Sequence, residues 1–180
     1  MRLWRRNGTT DQERFDREVL PHLDTGYNLA RWLARSDDDA SDIVQEACLR
    51  CFRNMDQLTT NPRAWFLSTV RNTAYTFLAR RSGQPTFLDE SDDLQWDGPS
   101  PEQAVLAKVE QEILTQFIED LPPEFREVLV LRDLEDLSYK EIAEVSGLPI
   151  GTVMSRLNRA RRRLQQRLAD RSLEERRLGL

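Results

Sequence analysis

Between Ser138 and Arg171 the basic residues are Lys140, Arg156, Arg159, Arg161, Arg162, Arg163, Arg167 and Arg171, opposed only by Glu141, Glu144 and Asp170. Guanidinium groups suit phosphates and the hydrogen-bonding edge of guanine, because both accept from a planar fork of N–H donors. The spacing adds direction to the charge. Val153, Leu157, Ala160 and Leu164 recur at a helical period and point to a core. Thr152, Ser155, Arg156, Arg159 and Arg163 fall on the opposite side, with Asn158 and Arg162 flanking them. One face thus offers hydroxyls, an amide and guanidinium groups, a chemistry suited to base edges and phosphates. Gly151, at the start of this helix, admits close backbone approach and leaves N–H groups free for a phosphate. A basic helix alone could be a solvated face. The residues ahead of it give it a context. Ser138-Tyr139-Lys140-Glu141 is a capping box opening a short helix with Ile142, Ala143 and Val145 as its apolar residues. Gly147 can supply the positive φ of a sharp helix end, and a second helix starts near Ile150. This is the spacing of a helix-turn-helix and predicts DNA binding.

A second group of candidate ligands lies between Asn61 and Arg81. Asn61-Pro62 reads as an N-cap followed by proline at the first helical position. Along the helix that follows, Trp65 and Tyr75 interleave with Arg63, Arg71, Asn72, Arg80 and Arg81. Aromatic faces among cations suit the stacking of unpaired bases and the tracking of their backbone. Phe66 and Phe77 read as core, whereas Trp65 fits core or stacking equally well. A third group sits on the helix after Ser36-Asp37-Asp38-Asp39. Ala40, Ile43, Val44, Ala47, Cys48, Cys51 and Phe52 form its apolar series, and Asp42, Gln45 and Glu46 are its polar positions. Carboxylates and an amide so placed either pair with a basic partner helix or form an ordinary solvated face.

The inventory excludes other chemistry. Cys48, Cys51 and the single His22 do not close a structural zinc site, and both cysteines fall on the apolar series, where they read as small buried hydrophobes. No carboxylate pair has a histidine, serine or glycine-rich partner arrangement, so no enzyme activity, metal or cofactor is expected. The net charge of −5 hides an asymmetry, since Asp89, Glu90, Asp92, Asp93, Asp97 and Glu102 stand in a stretch without Lys or Arg. No run approaches the roughly eighteen apolar residues of a membrane span. Met1 to Arg6 is basic without the apolar stretch of a secretory signal, so the expected location is cytoplasmic.

These elements organise into an all-α chain of two small helical domains, at 10–83 and 104–170, joined by a flexible acidic linker at 84–103 and followed by a charged tail at 171–180. A first helical block lies between Asp16 and Phe52. Ser100-Pro101-Glu102-Gln103 restarts the chain as a capped helix with Leu106, Val109, Ile113, Phe117 and Ile118 on one stripe, and Leu121-Pro122-Pro123 stops it. Glu124 to Leu134 reads as one further helix.

The chain resembles the extracytoplasmic-function (group 4) sigma factors of the sigma-70 class. Gly151-Thr152-Val153-Met154-Ser155-Arg156-Leu157-Asn158-Arg159-Ala160-Arg161 is similar to the core of their region 4.2. Asp39-Ala40-Ser41-Asp42-Ile43-Val44-Gln45-Glu46-Ala47 resembles region 2.2, and Asn61 to Arg81, with Ala64-Trp65-Phe66-Leu67 and Arg71-Asn72-Thr73-Ala74, resembles regions 2.3 and 2.4. The resemblance implies an alternative sigma factor that binds core RNA polymerase and directs promoter-specific initiation. It implies docking on the β′ clamp helices through Asp42, Gln45 and Glu46, and on the β flap. It assigns the −10 element to Asn61, Arg63, Trp65, Arg71, Asn72, Tyr75, Arg80 and Arg81, with a base captured near the loop Asp56 to Asn61. It assigns the −35 element to Arg132, Gly151, Thr152, Ser155, Arg156, Asn158, Arg159, Arg162 and Arg163. Met154 and Asn158 depart from residues common in relatives, which leaves the −35 sequence open. The linker would thread the polymerase or act as a plain tether. An anti-sigma factor is the further partner implied, and no membrane insertion. A stand-alone regulator with a terminal helix-turn-helix, and a decoy that imitates a sigma factor, are the rival readings.

Overall fold

The computed structural model describes residues 8–58, 60–82 and 112–178, with the backbone alone for 8–10, 81, 82, 174–176 and 178. Its helices are α1 (Gly8–Glu18), α2 (Leu23–Ala34), α3 (Asp37–Arg53), α4 (Pro62–Ser82), α5 (residues 112–119), α6 (Pro123–Leu129), α7 (Tyr139–Ser146) and α8 (Ile150–Leu178). Tight turns at Leu20–His22 and Met55–Gln57 join the early helices. No strand occurs among the described residues, so the fold is all-α. The acidic linker at 84–103 lies outside the described residues.

Local chemistry sets the helix ends. Ser36 caps α3, its Oγ accepting from the Asp39 N–H at 3.3 Å, and Asp37, Asp38 and Asp39 place negative charge on the positive end of the helix. Asn61 caps α4 by accepting from the Ala64 N–H at 3.2 Å, with Pro62 next to it. Ser138 and Glu141 close the capping box of α7, and Gly147 ends that helix at φ +70°. Arg35 ends α2 at φ +58°, an unusual conformation for a residue with a Cβ.

The stretch Glu124 to Leu134 departs from the single helix its sequence suggests. α6 stops at Leu129 and a wider π turn, Val130–Leu134, follows, with the Glu135 N–H donating to the Val130 carbonyl at 3.0 Å. Phe125 to Leu131 are all buried at consecutive positions, so α6 and the start of the π turn are enclosed on every side rather than along one face. Residues 171–178 continue α8 as helix.

α2, α3 and α4 pack together around Leu29, Leu33, Ile43, Phe66, Leu67 and Val70, all essentially without solvent exposure. α6, α7 and α8 pack around Val128, Leu131, Leu137, Ile142, Val153 and Leu157. The two groups share one continuous buried cluster, because α2 lies against α6 and α4 against α7. A close approach of α2 to α4 depends on Gly26. A Cβ there would stand 2.6 Å from Cε1 of Phe66, a ring with no exposure. Gly26→Ala is therefore expected to lower stability by about 1–3 kcal/mol through overpacking. Urea unfolding of parent and variant checks this, and equal midpoints at equal slope would refute it.

Candidate nucleic-acid interface

Pro149 launches α8, its carbonyl accepting from Thr152 at 2.9 Å and Val153 at 3.1 Å. Val153, Leu157 and Ala160 are buried and Leu164 is half-buried, as their period predicts. Gly151, Ser155, Asn158, Arg159, Arg162 and Arg163 are exposed, while Thr152 and Arg156 are half-exposed at the edge of that face. Nothing stands within 4 Å of a Cβ built on Gly151, so its surface is open to a ligand. Ile150 and Met154, both 46% exposed, add apolar surface to the same end of the helix.

Two of the candidate arginines also serve packing. The Arg163 guanidinium lies 5.0 Å from the Phe125 ring centre. Arg132 is half-buried, donates to the Leu137 carbonyl at 2.8 Å and covers the Tyr139 ring. Arg161 grips both oxygens of Asp133, at 3.1 and 2.5 Å, which holds α8 to the π turn.

α4 presents two different faces. On one, Trp65, Thr69 and Asn72 line a cleft of about 240 Å³ together with Arg50 and Asn54 at the end of α3 and Gln57 of the following turn. Pockets for drug-sized ligands run to about 300–1,000 Å³, so this one suits a smaller group. An indole face, three amides and a guanidinium can stack on such a group and hydrogen-bond its edge. Arg50, Asn54, Gln57 and Thr69 are absent from the sequence-derived set, because three segments must fold together before they meet. Trp65 is half-buried and serves core and cleft at once. Phe66 is fully buried and Phe77 packs against the core.

The other face of α4 meets the C-terminal helices. Arg71 Nε donates to Oε1 of Glu127, a carboxylate with no exposure, while the Tyr75 hydroxyl donates to Oε2 at 2.8 Å. Arg71 also lies 4.7 Å from the Tyr75 ring centre and donates to the Asn72 side-chain oxygen at 3.2 Å. Burial acts to lower the Arg71 pKa, but Glu127 outweighs it and the net shift is upward. The Tyr75 phenol is pushed up by burial and then by Glu127. Arg63 donates to the Glu135 carbonyl and Asn61 to the Glu144 carboxylate, both at 2.8 Å. Arg80 is exposed at the far end of α4, and the Arg81 side chain lies outside the described residues.

On α3, Asp42 and Gln45 are exposed, and Leu49 and Phe52 continue their side of the helix with 45% and 40% exposure. Glu46 pairs with Arg50 at 2.8 Å, and this bond holds its carboxyl below the ordinary value.

Comparison with known proteins accounts for both halves. Residues 19–84 match the model of sigma-70 region 2, and residues 111–164 match that of sigma-70 region 4. The RNA polymerase sigma-H factor of Pseudomonas aeruginosa is 31% identical over 169 residues, covering 88% of each chain. The chain belongs to the ECF RNA polymerase sigma factors. The ECF sigma factor SigE of Mycolicibacterium smegmatis is 33% identical over 163 residues, and the match spans 89% of this chain and 63% of that longer protein. The sigma-E factor of Escherichia coli is 31% identical over 141 residues, 72% of this chain and 74% of that one. Among solved structures, the sigma factor RpoE of Bartonella quintana, in complex with the anti-sigma factor NepR, aligns with a TM-score of 0.67 at 25% identity over 87% of this chain and 98% of that one. CnrH, solved with the cytosolic domain of CnrY, shares the fold at a TM-score of 0.62 and 23% identity, over 88% of this chain and 90% of that one.

In this sigma factor the two cysteines belong to the packing of α3. Cys51 is buried, and desolvation pushes its thiol up to about 11, while burial also raises the half-buried Cys48. The thiolate is the reactive form, so neither is activated at neutral pH. Titration with a thiol-specific chromogenic reagent at pH 7.5 should modify Cys51 only after denaturant is added. Rapid reaction of both thiols in the native protein would contradict this placement.

Proposed function

We propose that this chain is an alternative sigma factor that binds core RNA polymerase, reads −35 and −10 promoter elements and aids strand opening, with the polymerase doing the chemistry. The observation that carries the reading is the exposed polar and basic face of α8, mounted behind a capped α7 and the Gly147 turn in a chain that also matches region 2. Within the proposed domain 104–170, Thr152, Ser155, Arg156, Asn158, Arg159 and Arg162 face the major groove. Gly151 and the helix start take a phosphate, and Arg132 and Arg163 brace the mount and meet the backbone. Asn158 pairs with adenine through its amide, the geometry for which asparagine is suited.

Within the proposed domain 10–83, α4 takes the −10 element. The cleft at Trp65, Thr69 and Asn72 captures one unpaired base, and Asn61, Arg63, Arg71, Tyr75, Arg80 and Arg81 follow the strand. Binding to the separated strand offsets the cost of unpairing, so no nucleotide hydrolysis or cofactor enters. The α3 face at Asp42, Gln45 and Glu46, extended by Leu49 and Phe52, docks on basic and apolar positions of the β′ clamp helices, and the C-terminal domain docks on the β flap. The protein works in the cytoplasm, makes no covalent bonds and is held in check by an anti-sigma factor.

The decisive experiment mixes the purified chain with bacterial core polymerase and a genomic promoter library and sequences the run-off transcripts. Discrete starts sharing −35 and −10 motifs are expected, and no initiation despite stable polymerase binding would overturn the reading. On the recovered promoter, Arg159→Ala and Ser155→Ala should each weaken −35 recognition, by about 1–3 kcal/mol where a bidentate contact is lost. Unchanged promoter affinity in both would remove α8 from the groove. Asp42→Ala with Gln45→Ala should lower polymerase affinity while leaving the melting temperature at the parent's value. Normal polymerase binding by that pair would reject the α3 dock.

A further inference from the structure

Ile150 and Met154 stand at the start of α8, each 46% exposed, and neither is among the side chains that form or line the buried core. They are four residues apart and so lie one above the other on the same side of the helix, with the exposed Asn158 a further turn along. We propose that this pair seats the C5-methyl group of a thymine in the −35 element, which makes Ile150 and Met154 specificity-determining residues of the promoter face. The proposal rests on the DNA reading of α8 and names a base that its face selects.

Continuity with the polar face argues for this occupant. Gly151 and Ser155 follow the two apolar residues in the chain, and both are exposed. Nothing stands within 4 Å of a Cβ built on Gly151, so the helix can come close to base edges there. The N-terminal turns of a recognition helix are the part that meets base edges, and both residues sit in them. Of the four bases only thymine presents an apolar group in the major groove. A polar edge laid against Ile150 and Met154 would lose water without gaining a hydrogen bond. The unbranched, polarizable side chain of Met154 can follow the contour of a methyl group, and the β-branched Ile150 supplies a stiffer wall.

The spacing also places the thymine. Four residues of helix advance about 6 Å, and successive base pairs about 3.4 Å. A thymine seated at Met154 therefore lies about one or two base pairs from the adenine proposed for Asn158. The contact carries no charge, so it adds discrimination without adding salt dependence. A lysine at the same position would do the reverse, taking a phosphate and ignoring the methyl group.

The test uses the full chain bound to core polymerase, on a promoter recovered from the run-off library. Each thymine of its −35 element is replaced singly by uracil, which keeps the base pairing and removes only the methyl group. At one thymine this should weaken promoter binding by the parent about fourfold, the fold-change for burying one methyl-sized group. Met154→Ala should weaken binding to the thymine promoter by about the same factor and lose nothing further on uracil, a non-additivity that marks a direct contact. Ile150→Ala should shrink the uracil penalty without abolishing it. Met154→Lys should ignore the methyl group while the slope of log affinity on log salt steepens by about one. Both positions are exposed, so the variants should melt with the parent. A −35 element without thymine, or uracil tolerated at every thymine by a parent that initiates normally, overturns the methyl seat and leaves the promoter role standing. An equal uracil penalty in the parent and in Met154→Ala overturns it too, and weaker binding of that variant to free core polymerase would then assign the apolar pair to a protein interface. No initiation by the parent from any promoter overturns the promoter role and this proposal with it.

Discussion

Glu127 sits at the seam of the molecule with no access to water. Taking a carboxylate out of water costs several kcal/mol, which is offset only when a partner charge and the remaining lone pairs are met with good geometry. Arg71 meets one oxygen and the Tyr75 hydroxyl the other. Both come from α4, while Glu127 comes from α6, so the arrangement is satisfied only while the two halves stay together. Apolar burial alone would tolerate small shifts between the halves. A buried ion pair with a second hydrogen bond does not, because each lost bond leaves a charge or a hydroxyl unpartnered. The bonds are therefore specific to this one packing of the two halves.

Arg126 fixes the same seam from the other end. The residue is 4% exposed, and its guanidinium has no carboxylate bonded to it among the described residues. It donates instead to the carbonyls of Ile118, Glu119 and Leu121, where α5 ends, and to Trp32 of α2. The last carbonyls of a helix lack partners within it and carry the negative end of its dipole, so a cation there fills both needs. Burial, and then the nearby Arg35, lower its pKa to about 10, which leaves it charged at neutral pH. Arg31 and Arg35 extend the contact outward to Glu119, at 3.3 and 3.8 Å. Two arginines thus hold the halves in opposite senses, Arg71 reaching forward from α4 and Arg126 reaching back from α6.

What was legible in the sequence was local. The caps at Asn61 and Ser138, the positive φ at Gly147 and the inward stripe of α8 each follow from residues within a turn or two of one another. The all-α class and both helical units follow from the same signals. What was not legible depends on contacts that only the folded chain makes. Arg71 and Glu127 each look like an ordinary surface charge until the fold joins them. The cleft joins Arg50 and Asn54 at the end of α3, Gln57 of the following turn, and Trp65, Thr69 and Asn72 of α4. The π turn at Val130–Leu134 leaves no mark in the local pattern, because Phe125 to Leu131 are enclosed on every side across the change of turn. α4 carried no clean apolar stripe for a related reason. It packs against α3 and α2 on one side and α7 on another, so its apolar residues are spread around the helix.

That spread also divides the labour on α4. Trp65, Thr69 and Asn72 are spaced four and three apart and so share one stripe, while Arg71 and Tyr75, four apart, share the next. The first stripe opens on a cleft and the second is covered by the C-terminal helices. The stripes touch at one point, where Arg71 donates to the Asn72 side chain at 3.2 Å. An amide held by a neighbouring guanidinium has its oxygen committed and its N–H₂ turned elsewhere. Whatever Arg71 pairs with therefore bears directly on the hydrogen bonds that Asn72 can offer at the cleft. The seam and the cleft are chemically adjacent, and a single turn of α4 carries the connection between them.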